Sequence, residues 1–256
     1  MSNETDVELA TRLAVEAGTL LLETRARLGK RYDEWDLGDE GDSTANRFLL
    51  QQLRDARPDD IVLSEEAPDQ RVRLTSDRVW IIDPLDGTRE YRTHRHDWAV
   101  HIALWERGVG LSAAAVSVPE FDEVRSTADP GFDRLLGAVA PSQSERAPVV
   151  LVSRSRRPWV ADLVAARIGG VVDQLGSAGM KTLAVVTGQA HVYLNPGGLW
   201  EWDAAAPAAV AEAAGCDVRD VYGNRLSYNN PHPWVDGFIV SRPQHTDLIF
   251  DVLRSA

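Results

Sequence analysis

Cysteine is nearly absent from this chain: Cys216 is the only one in 256 residues. An internal disulfide is thereby excluded, and a reducing cytoplasm is the expected setting. Long apolar runs are missing too. No stretch approaches the roughly 20 residues that cross a bilayer, so no membrane association is expected. The opening residues Ser2-Asn3-Glu4-Thr5-Asp6 are acidic rather than basic, and no secretory signal is predicted. Positive charge is scarce, with 27 Lys and Arg against 39 Asp and Glu for a net charge of −12. Such a balance argues against nucleic acid, which attracts a basic face. Internal repeats and low-complexity segments are also lacking. What remains is ordinary for a globular protein: 44% apolar and 26% charged residues, in a chain long enough for one large domain or two small ones.

The acidity constrains the ligand. Two like charges 4 Å apart repel by ~4 kcal/mol at an effective dielectric of about 20. An acidic pocket can therefore bind a phosphate only with cations between, which points to metal.

Helical spacing of Leu9, Leu13, Ala17, Leu20 and Leu21 predicts an opening amphipathic helix. A second is predicted from about Ser43 to Arg57, with Phe48, Leu49 and Leu53 turned inward and Asp42 as its N-cap. Ile61-Val62-Leu63 reads as a short strand ending at Ser64-Glu65-Glu66. Val79 to Ile82 reads as a buried strand stopped at Asp83-Pro84, because proline cannot donate to a ladder. Trp98 to Trp105 and Leu111 to Val118 read as a hairpin around Arg107-Gly108-Val109-Gly110. Ala140 to Pro148 has the composition of a linker. Beyond it, strands at Val149–Val152, Val171–Leu175, His191–Leu194 and Gly237–Val240 alternate with helices. These helices are placed at Pro158–Ile168, Lys181–Thr187, Ala204–Ala214 and from Gln244 onward. The expected class is α+β, with an antiparallel-sheet half over residues 1–140 and an α/β half over residues 141–256.

The most informative run is Trp80-Ile81-Ile82-Asp83-Pro84-Leu85-Asp86-Gly87-Thr88. Two carboxylates three apart at a strand end, a glycine that lets backbone approach a ligand and a hydroxyl suit a hard cation beside a phosphate. Other acids recur at predicted strand ends and helix starts: Asp42, Glu65 and Asp203. Singly, each reads as a cap or a solvated turn. In order, they resemble the lithium-sensitive, magnesium-dependent phosphomonoesterases of the inositol monophosphatase and fructose-1,6-bisphosphatase superfamily. That resemblance implies a layered αβαβα sandwich. Leu63-Ser64-Glu65-Glu66, Asp83 to Tyr91, Val152-Ser153-Arg154-Ser155 and Gly176-Ser177-Ala178-Gly179-Met180-Lys181 are similar to its 3′(2′),5′-bisphosphate nucleotidase branch, of the bacterial sulfur-assimilation type.

The resemblance implies hydrolysis of 3′-phosphoadenosine 5′-phosphate, and of 3′-phosphoadenylyl sulfate, with inositol monophosphatase activity as the alternative. Two or three Mg²⁺ would be held by Glu65, Asp83, the Leu85 carbonyl, Asp86 and Asp203, with inhibition by Li⁺. Asp42, Thr88 and Glu65 would be catalytic, Thr88 hydrogen-bonded to Asp42 and relaying a proton from the attacking water. Glu65, Leu85, Asp86, Gly87, Thr88, Ser153, Ser177, Gly179, Lys181 and Asp203 would meet the substrate, Lys181 neutralising its second phosphate. The partner would be a small-molecule phosphate, and relatives of this kind allow a homodimer. Two departures stand out. The family's threonine before the second helix is missing, so Asp39 rivals Asp42. Pro207, expected in a helix's first turn, replaces a family glycine. Arg154, Arg156 and Arg157 read either as a contact to the nucleotide's phosphate or as a solvated helix start, the second being preferred. A haloacid-dehalogenase-type site is disfavoured, because its acids stand two apart rather than three. A non-enzymatic cation-binding module is the remote alternative.

Overall fold

The computed structural model describes residues 4–29, 34–129 and 147–256. Most of the expected linker, including the 140/141 division between halves, lies outside the described residues.

Helix α1 (Asp6–Leu28) opens on a capping box: the Thr5 hydroxyl accepts from Glu8 N, and the Glu8 carboxylate accepts from Thr5 N. Its buried stripe Leu9, Leu13, Ala17 and Leu21 packs with α2 (Glu34–Ala56) on one face of a five-stranded sheet. The strands are β1 (Ile61–Ser64), β2 (Arg78–Asp86), β3 (Ala99–Glu106), β4 (Gly110–Val118) and β5 (Glu123–Ser126), in that spatial order. β1 runs parallel to β2, and the other pairs are antiparallel, so the sheet is mixed rather than purely antiparallel. Side chains alternate between faces along a strand. Trp80 and Ile82 join the core under α1 and α2, while Val79 and Ile81 join the core on the other side. Burial on both faces explains why this strand reads as an unbroken apolar run.

The second sheet has the order β10 (Asp217–Arg219), β12 (Phe238–Ser241), β8 (Val192–Asn195), β6 (Val149–Ser153), β7 (Val171–Leu175). β6 is parallel to both β7 and β8. Helices α4 (Val160–Ile168) and α7 (Pro243–Ser255) pack on its outer face. Between the two sheets lie α5 (Ala178–Val186) and α6 (Glu201–Ala213). The layers thus run αβαβα, as expected. Helix α6 is buried on every side, and its alanines at 204, 205, 206, 208, 209 and 211 let both sheets approach closely.

Three local expectations need correction. Helix α2 begins at Glu34, so Asp42 lies inside it and caps nothing. Gly38 and Gly41 let α2 lie against α3 (Thr88–Arg92), since a Cβ on Gly41 would stand 2.8 Å from Tyr91 Cε1. Strand β2 continues past Pro84 to Asp86 through an irregularity in its pairing with β3. Helix α6 starts at Glu201, which places Asp203 in its first turn and Pro207 in its second. A proline there leaves the Asp203 carbonyl without its intrahelical donor. A short ladder, β9 (Leu199–Trp200) with β11 (Trp234–Val235), was unmarked by any alternation because each strand has two residues.

Candidate active site

The site begins at the irregular end of β2. Asp83 pairs with His101 and Asp86 with Ala99, and the register shifts between them, where Pro84 has no N–H to offer. Asp83 Oδ1 accepts from Leu85 N at 3.0 Å and fixes the bend. Gly87, at φ 91°, then turns the chain into α3 in a conformation that favours glycine. Asp203 arrives on α6, where its carboxylate accepts from Trp200 N at 3.2 Å. One carboxylate oxygen each from Asp83, Asp86 and Asp203 lies within 4.8 Å of the others.

Glu65 follows β1, with its N–H on the Ile82 carbonyl (3.4 Å); the residue is exposed at the rim, while its carboxyl is desolvated among the neighbouring acids. Its turn is held by groups that sequence reasoning passed over. Ser64 Oγ donates to Asn46 Oδ1 at 2.9 Å and accepts from Glu66 N, while Asn46 Nδ2 donates to the Glu66 carbonyl. Asp42 is buried one turn before Asn46. The Thr88 hydroxyl donates to the Leu85 carbonyl at 3.1 Å. With its one proton on that carbonyl, the hydroxyl is not the donor to Asp42 that the resemblance implied, although it stands close enough to lower the Asp42 carboxyl in part.

A second shoulder forms where β7 passes into α5. Ser177 has φ 49°, a strained value outside glycine, and its Oγ both accepts from Met180 N and donates to Asp86 Oδ2. Gly179 N donates to the same oxygen at 2.9 Å, and His101 Nε2 lies 3.2 Å from it. Only glycine fits at 179, since a Cβ would stand 2.3 Å from His101 Nε2. Lys181 is buried with its ammonium donating to the carbonyls of Leu175 (3.5 Å), Gly176 (3.0 Å) and Ser177, and it sits 4.8 Å from the Tyr193 ring centroid. Its three N–H groups therefore brace the loop that carries Ser177.

Electrostatics divide the acids. Burial works to raise the Asp86 pKa, but His101, Lys181 and Ser177 outweigh it and hold the group at about 2. Asp83 goes the other way, driven well up by burial and then by Glu65, Asp86 and Asp203. Desolvation and the neighbouring acids raise Asp203 and Glu65 to about 7. Burial, Glu66 and Glu65 raise Asp42 to about 8. Asp83 Oδ2 and Asp42 Oδ1 are buried with no hydrogen-bond partner among the described residues. Buried carboxylate oxygens without donors are costly unless a cation meets them, so this oxygen-only set fits Mg²⁺.

Of these acids, Asp86 and Asp203 open on a cavity of about 280 Å³ whose lining also includes Gly87, Ser153, Ser177 and Lys181. Larger clefts of about 560 and 580 Å³ lie between α4 and α7 and beside the start of α1, away from the acid cluster. Chemistry, rather than size, selects the site.

The profile of the inositol monophosphatase family matches residues 2–255. The chain belongs to the inositol monophosphatase family. Within that family it is 42% identical to the 3′-phosphoadenosine 5′-phosphate phosphatase of Mycobacterium leprae (strain TN), over 98% of this chain and 94% of that protein. It is 34% identical to the 3′(2′),5′-bisphosphate nucleotidase CysQ of Escherichia coli (strain K12), over 78% and 83% respectively. Among solved structures, CysQ from Bacteroides thetaiotaomicron superposes with a TM-score of 0.76 at 24% identity, covering 94% of this chain and 98% of that one. Inositol monophosphatase-II from Staphylococcus aureus MSSA476 also gives 0.76, at 18% identity, with 96% and 95% covered. At those identities the superpositions establish the fold.

Of the acids singled out from the sequence, Asp83, Asp86 and Asp203 come together from β2 and α6, and Glu65 after β1 and Asp42 on α2 lie near enough to Asp83 to raise its pKa. His101 was missed. The signal for it was present, a lone polar ring in the apolar run Ala99-Val100-His101-Ile102-Ala103-Leu104. Arg154 was read with its neighbours as solvated, yet it pairs with Asp97 (2.6 Å) and Glu90 (3.3 Å) beneath the site.

Proposed function

We infer that the protein is a magnesium-dependent phosphomonoesterase that removes the 3′-phosphate of 3′-phosphoadenosine 5′-phosphate. The observation that carries this is the meeting of Asp83, Asp86 and Asp203, with partnerless buried oxygens beside them, in a chain 42% identical to a 3′-phosphoadenosine 5′-phosphate phosphatase across nearly its whole length. Glu65, Asp83, Asp86, Asp203 and the Leu85 carbonyl would hold two or three Mg²⁺. When bound, magnesium lowers the pKa of a coordinated water and offsets charge on the phosphoryl oxygens.

The chain's own groups do the rest. With Ser177, Gly179 and His101 all on Oδ2 of Asp86, that side chain is locked and Oδ1 is left for a cation. Thr88 takes the proton released by the attacking water as it passes its own hydroxyl proton to Asp42, whose ionised form, with its pKa held up at about 8, is a strong acceptor. The water oxygen bonds to phosphorus as the bond from phosphorus to O3′ breaks, and AMP and phosphate leave. A cytoplasmic location and Li⁺ inhibition belong to the same reading. Lys181 contributes by bracing the Ser177 loop and by its charge behind Asp86, rather than by touching the second phosphate. Mixed use of inositol phosphates is compatible with the family.

The test is phosphate release from 3′-phosphoadenosine 5′-phosphate and inositol 1-phosphate, with and without Mg²⁺ and Li⁺. Turnover is expected only with Mg²⁺, fastest on the nucleotide and suppressed by Li⁺. Asp83→Asn is expected to lose at least ~100-fold in kcat while melting as wild type does. Near-normal turnover in that variant would falsify the assignment.

A further inference from the structure

The acids account for one end of the cavity and leave its aromatic wall unexplained. Trp200 and Trp234 both line it. They are directly paired residues of the β9–β11 ladder, and opposed residues in such a ladder present side chains on one face. Their rings meet nearly at right angles, 87° with centroids 5.2 Å apart. Each has a further ring against it, and His232 also meets Trp200 edge-on at 5.3 Å and 75°. Trp202 stacks on Trp200 at 5.1 Å and 11°, and His232 lies nearly parallel to Trp234 at 6.5 Å and 20°. Neither backing ring lines the cavity. The result is a corner of two braced indoles. Gly198 (φ 79°) completes the seat, since a Cβ there would stand 2.6 Å from Trp234 Cζ2. Trp200 keeps 37% of its surface exposed. Its backbone N–H is also the donor to the Asp203 carboxylate, so the corner and the acid cluster are fixed to one another.

Charge singles out another residue on the same lining. The cavity's cations are Lys181 and Arg156. The Lys181 ammonium is committed to three carbonyls. Arg154 is tied to Asp97 and Glu90, and Arg157 to Asp162. The Arg156 guanidinium, exposed after β6, makes no ion pair or hydrogen bond with any described residue. In a chain of net charge −12, an unpartnered guanidinium on the wall of the acidic cavity is where a non-reacting phosphate would be met, and its fork suits two phosphate oxygens.

We propose that Trp200 and Trp234 stack the purine of the substrate while Arg156 binds its non-reacting phosphate, so that these three side chains set the preference for a nucleoside bisphosphate over a base-free phosphate monoester. This rests on the phosphatase reading above. Aromatic braces that need no rearrangement reduce the ordering cost of binding, which favours a KM effect over a kcat effect.

The experiment compares kcat and KM of wild type, Trp234→Ala, Trp234→Phe and Arg156→Ala on adenosine 3′,5′-bisphosphate, adenosine 3′-monophosphate and inositol 1-phosphate with Mg²⁺ present. AMP binding is measured in parallel by calorimetry. Trp234→Ala is expected to raise KM for both nucleotides by about 10-fold or more, with a several-fold smaller effect on inositol 1-phosphate, and Trp234→Phe to recover most of the loss. Arg156→Ala is expected to raise KM for the bisphosphate several-fold more than for the monophosphate, and both alanine variants to weaken AMP. Equal losses on all three substrates would reduce the corner to a structural role and overturn the proposal, as would unchanged nucleotide KM and AMP affinity. If wild type itself shows no preference for the bisphosphate over inositol 1-phosphate, the function reading fails along with it. A preference kept intact in the variants sinks only the present inference.

Discussion

At the scale of single residues, the site is a contest between carboxylates that repel and the few groups that steady them. His101 is the clearest case. It is fully buried, reaches Asp86 with one ring nitrogen, and lies 3.3 Å from the Trp202 carbonyl with the other. It thereby links β3, the irregular end of β2 and α6. Outer partners of this kind govern affinity for a cation through the ligand they orient. His101→Gln, which keeps polarity but cannot reproduce both contacts, is expected to raise the magnesium requirement by roughly 10–100-fold. Titrating Mg²⁺ against both turnover and melting temperature checks this, and an unmoved midpoint would refute the linking role. The acids themselves were legible in the sequence because their order and spacing along the chain are distinctive. Lys181 was legible as a residue but not as a role. Its spacing from Gly176 could not reveal that its ammonium turns back onto its own loop.

At the scale of elements, periodicity served well wherever a strand or helix had enough residues to show it. The buried alternation of β2 and the stripe of α1 are in the structure as read. The α2 start was misplaced because Asp42 reads as an N-cap, whereas the helix begins at Glu34 and runs through Gly38 and Gly41, whose missing Cβ lets α3 come close. The same geometry fixes the sign of a substitution. An exposed helical Gly→Ala change gains about 1 kcal/mol. At Gly41 the added methyl meets Tyr91 at 2.8 Å, so Gly41→Ala is expected to lose about 1–3 kcal/mol in chemical denaturation. Stabilisation instead would show that the packing against α3 is loose.

The second sheet carries its own pH sensitivity. Val149 N donates to His191 Nδ1 at 3.2 Å, so the folded state needs a neutral ring. Burial, then Arg242 and His245, lower its pKa from 6.5 to about 4. Between those values the unfolded chain takes up a proton that the folded chain refuses. This contribution is therefore whole above about 6.5 and lost as pH falls toward 4. His191→Gln is expected to lose less melting temperature than wild type between pH 7 and pH 4.5, and parallel curves would contradict that.

At the scale of the molecule, two sheets and three helical layers bring acids from positions 65, 83, 86 and 203 to one place. The layered class followed from the order of the motifs. The mixed pairing of the first sheet did not, since β1 is too short for its partner or direction to be written in four residues. The assembled acids impose a pH signature. Asp42, Glu65 and Asp203 are held at about 8, about 7 and about 7, above their ordinary values, by burial and mutual repulsion. For raised acids the cation-free fold is favoured below the unfolded pKa near 4 and loses that advantage as pH climbs through the folded values. Magnesium competes with those protons and relieves the repulsion. The melting temperature difference between Mg²⁺-loaded and chelator-treated protein is thus expected to widen from pH 5 to pH 8. A difference that stays constant would mean the cation lies elsewhere.

The tiny β9–β11 ribbon has one more implication. Its second strand is contributed by residues 234–235, far along the chain from the strand that bears Asp83 and Asp86. On the proposal above, the part of selectivity carried by Trp234 is therefore written in a different stretch of the gene from Asp83 and Asp86, whereas the part carried by Trp200 is bound to Asp203. A descendant of this protein would be free to revise the first and constrained in revising the second.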